Sequence, residues 1–162
     1  MASRPKGHLR AWRVADSRHQ IFDGGGAALY GGRWNSPGRE VIYAAETYAG
    51  ALLEILAHSH IGRVPRNFAY VEITVPESIG VEIVSPDDIP GWDLTDFSAS
   101  QAFGDRWQKD QRSAVLLVPS VVTRIERNVL INPRHPQFAK IRVTVPQPVI
   151  WDGRLFSRLV RG

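Results

Sequence analysis

The sequence predicts an α+β fold, a single domain with a mixed, largely antiparallel sheet and a few helices. Three observations predict it. Short runs rich in valine and isoleucine recur along the chain between turn residues, as half-buried or buried strands do. Two longer segments carry apolar residues at helical spacing. A chain of 162 residues, 43% hydrophobic and 22% charged, can bury one core without a disulfide or a metal to hold it. No repeat, low-complexity tract or long linker divides it, so residues 1–162 are expected to form one domain with its core at about 9–156.

The elements follow in order. Residues 9–15 read as the first strand, and the glycine triplet Gly24-Gly25-Gly26 as a flexible loop, because it lacks the Lys-Ser/Thr of a P-loop and opens no evident helix. Asn35-Ser36-Pro37-Gly38 is a strong turn signal before a strand at 41–45. Residues 46–59 read as a helix that packs through Ala45, Tyr48, Leu52, Ile55 and Leu56. Strands are expected at 68–75 and 81–84, stopped by Pro76 and Pro86. A second helix spans roughly 98–111, with Asp96 or Ser98 able to cap its start. Further strands fall at 114–122, 129–131 and 141–145, and Pro119, Pro133 and Pro146 mark strand ends. Trp92, Trp107 and Trp151 read as core or cleft-wall aromatics.

Composition narrows the function classes. The chain has no cysteine, which removes disulfide scaffolds, cysteine nucleophiles and cysteine-rich zinc sites and fits a reducing, cytoplasmic setting. The basic residues of 1–9 are not followed by an apolar run, so neither a signal peptide nor a membrane span is expected. Net charge is +4 and the pI about 9.8, which suits nucleic acid, nucleotides or an acidic partner. Lysine occurs only at Lys6, Lys109 and Lys140, so scattered arginines supply nearly all the charge. Arginine forks grip phosphates and carboxylates in defined geometry, which favours defined sites over a diffuse DNA-binding surface.

Two segments carry chemistry. On the helix at 46–59, Glu54 lies off the apolar stripe, with Gly50 and His58 one turn to either side. Spacing alone leaves it either a solvated glutamate or a carboxylate beside an imidazole. The segment from Tyr30 to Gly38 holds Arg33 beside Gly31 and Gly32 and leads to Tyr43. It reads either as a hairpin whose Trp34 and Tyr43 are core residues, or as a phosphate site with backbone N–H donors, a guanidinium and a ring face. His58-Ser59-His60 offers two imidazoles at a spacing that sends them to different helix faces with no third ligand, so no metal is expected.

Taken together, Trp12-Arg13, Gly32-Arg33-Trp34-Asn35, Tyr43, Ala51-Leu52-Leu53-Glu54, Arg112-Ser113 before Leu116-Leu117-Val118-Pro119-Ser120, and the run from Asn128 through Asn132-Pro133 to Pro136 resemble the RES domain. The resemblance extends over nearly the whole chain. It implies an ADP-ribosyltransferase-like fold with NAD+ as substrate in a cleft, and a toxin neutralised by a helix-turn-helix (Xre-type) antitoxin. Relatives of this kind degrade NAD+ by hydrolysis or phosphorolysis, or transfer ADP-ribose to a protein. Arg33, Glu54 and Ser113 match the arginine, glutamate and serine that name the family. Ser120, at the other end of the same strand, is the rival serine, and Ser113 is preferred. Tyr43 matches an aromatic near the nicotinamide, Arg13 and His58 resemble further polar members of the pocket, and Asn132 sits in a motif of structural character.

The residue types suit that chemistry. Loss of nicotinamide leaves an oxocarbenium-like ribose, which a carboxylate such as Glu54 stabilises and orients. Arg33, with Arg13, would neutralise the pyrophosphate, Ser113 would hydrogen-bond ribose or amide, and Tyr43 would stack. Arg13, Arg33, Tyr43, His58 and Ser113 are thus the expected NAD+-binding set, and Arg33, Glu54 and Ser113 the expected catalytic set. The alternative from another class is a basic nucleic-acid-binding module, against which stand the missing zinc-finger, RNP and KH signatures.

Overall fold

The clearest strand signature belongs to Phe68–Val75, which alternates half-buried and buried side chains along all its residues and ends at Pro76. In chain order the computed structural model, which describes residues 7–58 and 64–156, places β1 (Leu9–Asp16), α1 (Gly25–Tyr30), β2 (Ile42–Ala45), α2 (Tyr48–His58), β3 (Phe68–Val75), β4 (Val81–Ile83), α3 (Ser98–Lys109), β5 (Val115–Pro119), β6 (Arg127–Ile131), β7 (Arg142–Val143) and β8 (Gln147–Pro148). One mixed sheet runs β4-β5-β6-β2-β1-β3-β7, and β8 also pairs with β3. Every pairing is antiparallel except β4 with β5. The α+β class with a mixed, largely antiparallel sheet is therefore as the sequence predicts.

The sheet is covered on both faces in its middle. All of β5 is buried: Val115 and Leu117 join the core with Ile42, Ile73 and Ile131, while Leu116 and Val118 join Trp34, Trp107 and Leu130 on the opposite side. A strand buried on both faces reads as a continuous apolar run, which is what 114–118 shows. A third cluster, Val14, Ala45 and Ala51 with Tyr48, Leu52 and Ile55 packed against it, seats α2 on β1 and β2 through the predicted stripe.

Four expectations are corrected. Gly24-Gly25-Gly26 is not a plain loop but leads into α1, whose missing helix propensity is replaced by outside anchors: Asn35 Nδ2 donates to Ala27 O (2.8 Å) and Gly38 N to Ala28 O (2.7 Å). The strand expected over 114–122 stops at Pro119, and the chain turns as Arg124 N donates to Ser120 O (3.0 Å). The strand expected at 141–145 keeps ladder pairing only at Arg142–Val143, and β8 follows without a sequence signal. The helix expected over 46–59 is α2 and starts at Tyr48, and Ser59 and His60 lie outside the described residues.

Helix α3 docks where only glycine fits, because a Cβ on Gly104 would lie 1.8 Å from the Trp34 carbonyl oxygen. Asp105 completes the junction by accepting from Ser36 N (2.9 Å) and Ser36 Oγ (2.5 Å). Asp96 supports the helix start, with its Oδ1 accepting from Ser98 N (3.0 Å) around a left-handed Phe97.

Candidate active site

A cleft of about 720 Å3 opens where the sheet loosens, a volume in the range of small-molecule sites. Strands β1 and β3 pair along their whole length, whereas β1 and β2 share only the register pair Trp12 with Ala45. Residues 12–14 and 43–45, from the two poorly paired strands, both line the cleft. Arg13 bridges them: its Nη1 donates to Tyr43 O (2.8 Å), and its other nitrogens reach Ile21 O and Asp23 O. Burial draws this guanidinium below its usual range, with Asp23 acting in the opposite direction. Each nitrogen of the guanidinium thus touches a carbonyl, and Arg13 ties β1 to β2 at the cleft.

Helix α2 brings Glu54 and His58 to the same cleft. The Glu54 Oε1 accepts from Asn128 Nδ2 (2.8 Å) and from Ser120 Oγ (3.0 Å), and among the described residues Oε2 has no partner. His58 is exposed, one turn on, with its Nδ1 2.6 Å from the Glu54 carbonyl. That oxygen can only accept, so Nδ1 carries the proton. The helix is fixed to the same turn at its start, where Glu126 Oε2 accepts from Thr47 Oγ1 (2.8 Å) and Arg127 pairs with Glu46. Gly50 leaves room for this pair, since a Cβ there would lie 2.9 Å from both Glu126 Oε2 and Thr47 Oγ1 and one of them would have to shift.

Arg33 enters from the opposite wall. Its Nη1 donates to Leu94 O (2.8 Å) and Trp92 O (3.0 Å), and its guanidinium lies 4.3 Å over the Phe97 ring, so its direction is set by the loop before α3. Among the described residues Nε and Nη2 have no acceptor. Burial pulls this group below its usual range, opposed by the carboxylates of Asp93 and Glu54, and arginine stays charged regardless. Trp12, Tyr30 and Phe97 add aromatic surface.

The structure therefore brings Arg13, Arg33, Tyr43, Glu54 and His58 to one cleft, and it leaves Ser113 out. Ser113 is buried at the far end of β5, where its Oγ accepts from Trp107 Nε1 (2.8 Å) and donates to Val115 O (2.8 Å). Ser120, at the other end of the strand, is the serine whose Oγ lies within hydrogen-bond distance of Glu54. Of the two readings of the segment from Tyr30 to Gly38, the backbone hydrogen bonds follow the hairpin: Gly31 N donates to Ala27 O, Gly32 N to Asn35 O, and Trp34 N to the Tyr43 hydroxyl. Tyr43 edges the cleft with its ring, but its hydroxyl turns inward and donates to Asn35 Oδ1 (2.6 Å), and burial pushes its pKa up. Nothing in the chemistry of Asn128 marks it in the sequence, where it only begins the Asn128 to Pro136 run. Among the described residues no group of three or more His, Asp or Glu side chains is placed to hold a metal, and no helix is long and apolar enough to cross a membrane.

Comparison with known proteins adds the following. The model of a family described as the RES domain matches residues 10–152. The chain is 39% identical over 155 residues to a Prs ADP-ribosylating toxin of Sphingobium sp., covering 91% of this chain and 96% of that protein. It is 34% identical over 154 residues to a Toxin Res of Photorhabdus laumondii, with 93% and 96% covered. Its fold is similar to that of a chain in the crystal structure of the M. tuberculosis MbcT–MbcA toxin–antitoxin complex, with a TM-score of 0.68 at 18% identity and 87% and 86% of the two chains covered.

Proposed function

The chain belongs to the RES domain family, and from that premise we propose that it is the toxin of a toxin–antitoxin pair, an enzyme that binds NAD+ in the cleft and breaks its nicotinamide–ribose bond. One observation carries the reading: a carboxylate and a guanidinium, Glu54 and Arg33, are held by separate walls of one cleft, each with polar atoms left over for a ligand.

The residues fit the substrate. The C1′–N bond breaks with its electron pair leaving on nicotinamide, and the positive charge that remains spreads over C1′ and the ring oxygen. Glu54 Oε2 is the group to stabilise that charge or orient the ribose hydroxyls. Arg33, braced on two carbonyls, presents its remaining N–H donors to the pyrophosphate. Trp12, Tyr30 and Phe97 offer faces to the rings. Ser120, and not Ser113, takes the serine role through Glu54, and Arg13 holds the cleft open instead of binding phosphate. The acceptor's oxygen then adds to C1′ and gives up its proton. Water gives ADP-ribose and inorganic phosphate gives an ADP-ribose phosphate.

A second reading, transfer of ADP-ribose to a protein, is favoured by the name of the Sphingobium relative. A helix-turn-helix antitoxin is the expected partner, since a toxin–antitoxin complex contains the similar fold and an enzyme that consumes NAD+ needs a cover for its cleft. Incubation of the purified protein with NAD+, with and without phosphate, tests the reading. Nicotinamide release is expected, and the co-product identifies the acceptor. Absence of nicotinamide release in every condition, including a lysate offering protein acceptors, overturns it.

A further inference from the structure

We infer that Asn128 is a positioning residue of this reaction, holding Glu54 by one carboxylate oxygen so that the other faces the substrate; the inference rests on the NAD+ reading above. A carboxylate only accepts, so the amide nitrogen of Asn128 faces it, and Nδ2 lies 2.8 Å from Oε1. Ser120 Oγ donates to the same oxygen from 3.0 Å. Two donors converging on Oε1 leave Oε2 as the oxygen available to a ligand, and they fix the plane of the group.

The two ends of this contact differ in rigidity. Asn128 pairs with Val118 of β5 and with Ala45 of β2, so its backbone is gripped from both sides in the middle of the sheet. Glu54 sits on a helix whose own polar ties to the sheet are at its start, through Thr47 to Glu126 and Glu46 to Arg127, while further along it rests on an apolar stripe, a contact with no direction of its own. The amide of Asn128 therefore supplies a directional tie between the carboxylate itself and the strand framework, and a side chain locked by a hydrogen bond from a rigid element keeps its geometry. Ser120 begins a turn, with Thr123 N donating to its Oγ (3.1 Å), so its hydroxyl serves the turn as well as Glu54. Among the described residues the Asn128 amide has Glu54 alone as its hydrogen-bond partner.

The consequence is coupling. Asn128 should matter only while Glu54 is a carboxylate, and a double-mutant cycle reads this. Asn128→Ala is expected to lower kcat for nicotinamide release about tenfold in the wild-type background, with KM for NAD+ within about threefold. In Glu54→Gln protein, measured by single turnover, the same change should alter the rate by less than about twofold. Asn128→Asp is isosteric and puts a like charge against Oε1, so it should lose more than Asn128→Ala in the wild-type background. Circular dichroism and thermal melting establish that each variant is folded, and the aspartate form supplies the result should the alanine form fail to fold. Equal losses in both backgrounds, or kcat within twofold of wild type for both variants, overturn the inference while NAD+ cleavage stands. A wild-type protein that releases no nicotinamide overturns both.

Discussion

The β5–β6 hairpin carries a serine and an asparagine at each end, and the two ends do different work. At the β5 start, Ser113 and Asn132 are buried and every bond closes on protein: Trp107 Nε1 donates to Ser113, Asn132 Nδ2 to Gln108 O (3.0 Å), and Arg134 N to Asn132 Oδ1 (3.0 Å). At the other end, Ser120 and Asn128 converge on a carboxylate that keeps one oxygen for the cleft. A closed polar knot specifies the fold, because each group left unpaired there would cost its desolvation. An open one can act on a ligand. The same residue types therefore serve stability or chemistry according to whether the group they bind keeps an atom for a ligand, as Glu54 does.

The sharpest way to break this contrast is Glu54→Gln, which keeps the shape and removes the charge. A group that acts on transition-state charge should cost about 10²–10³-fold in turnover with little change in NAD+ affinity. The melting temperature should move by no more than a few degrees. Near wild-type nicotinamide release would make the open end as structural as the closed one.

Arg33→Ala comes next. Losing a charged donor that contacts the pyrophosphate already in the ground state should cost about 10–150-fold in kcat/KM. Affinity for NAD+, read by calorimetry, should fall with it. An affinity within twofold of wild type would place the pyrophosphate elsewhere in the cleft.

The two serines test the contrast directly. Ser120→Ala removes one of two donors from Glu54 and should lower turnover about tenfold. Ser113→Ala leaves Trp107 Nε1 buried without an acceptor and should cost about 1–3 kcal/mol of stability in urea unfolding. Turnover per folded molecule should then stay within about twofold. The reverse pattern would restore Ser113 to the site.

That choice shows how far the sequence could be read. β3 is legible to the residue because a run rich in β-branched and aromatic residues ends at Pro76, and the spacing of the stripe on α2 is enough to place Glu54 off the packed side. Arg33, Tyr43 and Glu54 meet in one cleft as their shared pattern suggests. The serines are not legible, since both flank one strand and only the seat of α2 over the β5–β6 turn decides which end meets Glu54. Asn128 is hidden for the same reason. Its partner is 74 residues away, and nothing local marks an asparagine whose value lies in a register with β2 and β5. α1 escapes because a helix opened by three glycines and holding no buried residue depends on Asn35 and Gly38, which lie beyond its end.

Tyr43 crosses the division and gives the smallest expected effect on turnover. Its ring edges the open cleft, but its hydroxyl belongs to a closed knot with Asn35 Oδ1 and Trp34 N. Tyr43→Phe keeps the ring, so turnover should stay within about threefold. Stability should fall by about 1–3 kcal/mol, because the Asn35 oxygen and the Trp34 N–H lose their partner. The pH dependence carries a distinct sign. Burial raises the phenol's pKa above its unfolded value of about 10, so the neutral hydroxyl is the form the fold prefers. Its contribution is complete below about pH 10 and is lost as pH rises from there towards the folded value, at about 1.4 kcal/mol per pH unit. The stability gap between wild type and Tyr43→Phe should therefore be constant at neutral pH and narrow above about pH 10. Urea unfolding of both proteins across that range reads it. A gap that stays constant through the alkaline limb would mean the hydroxyl is not held in the closed knot, and a large loss of turnover at neutral pH in folded Tyr43→Phe protein would move that hydroxyl to the open side.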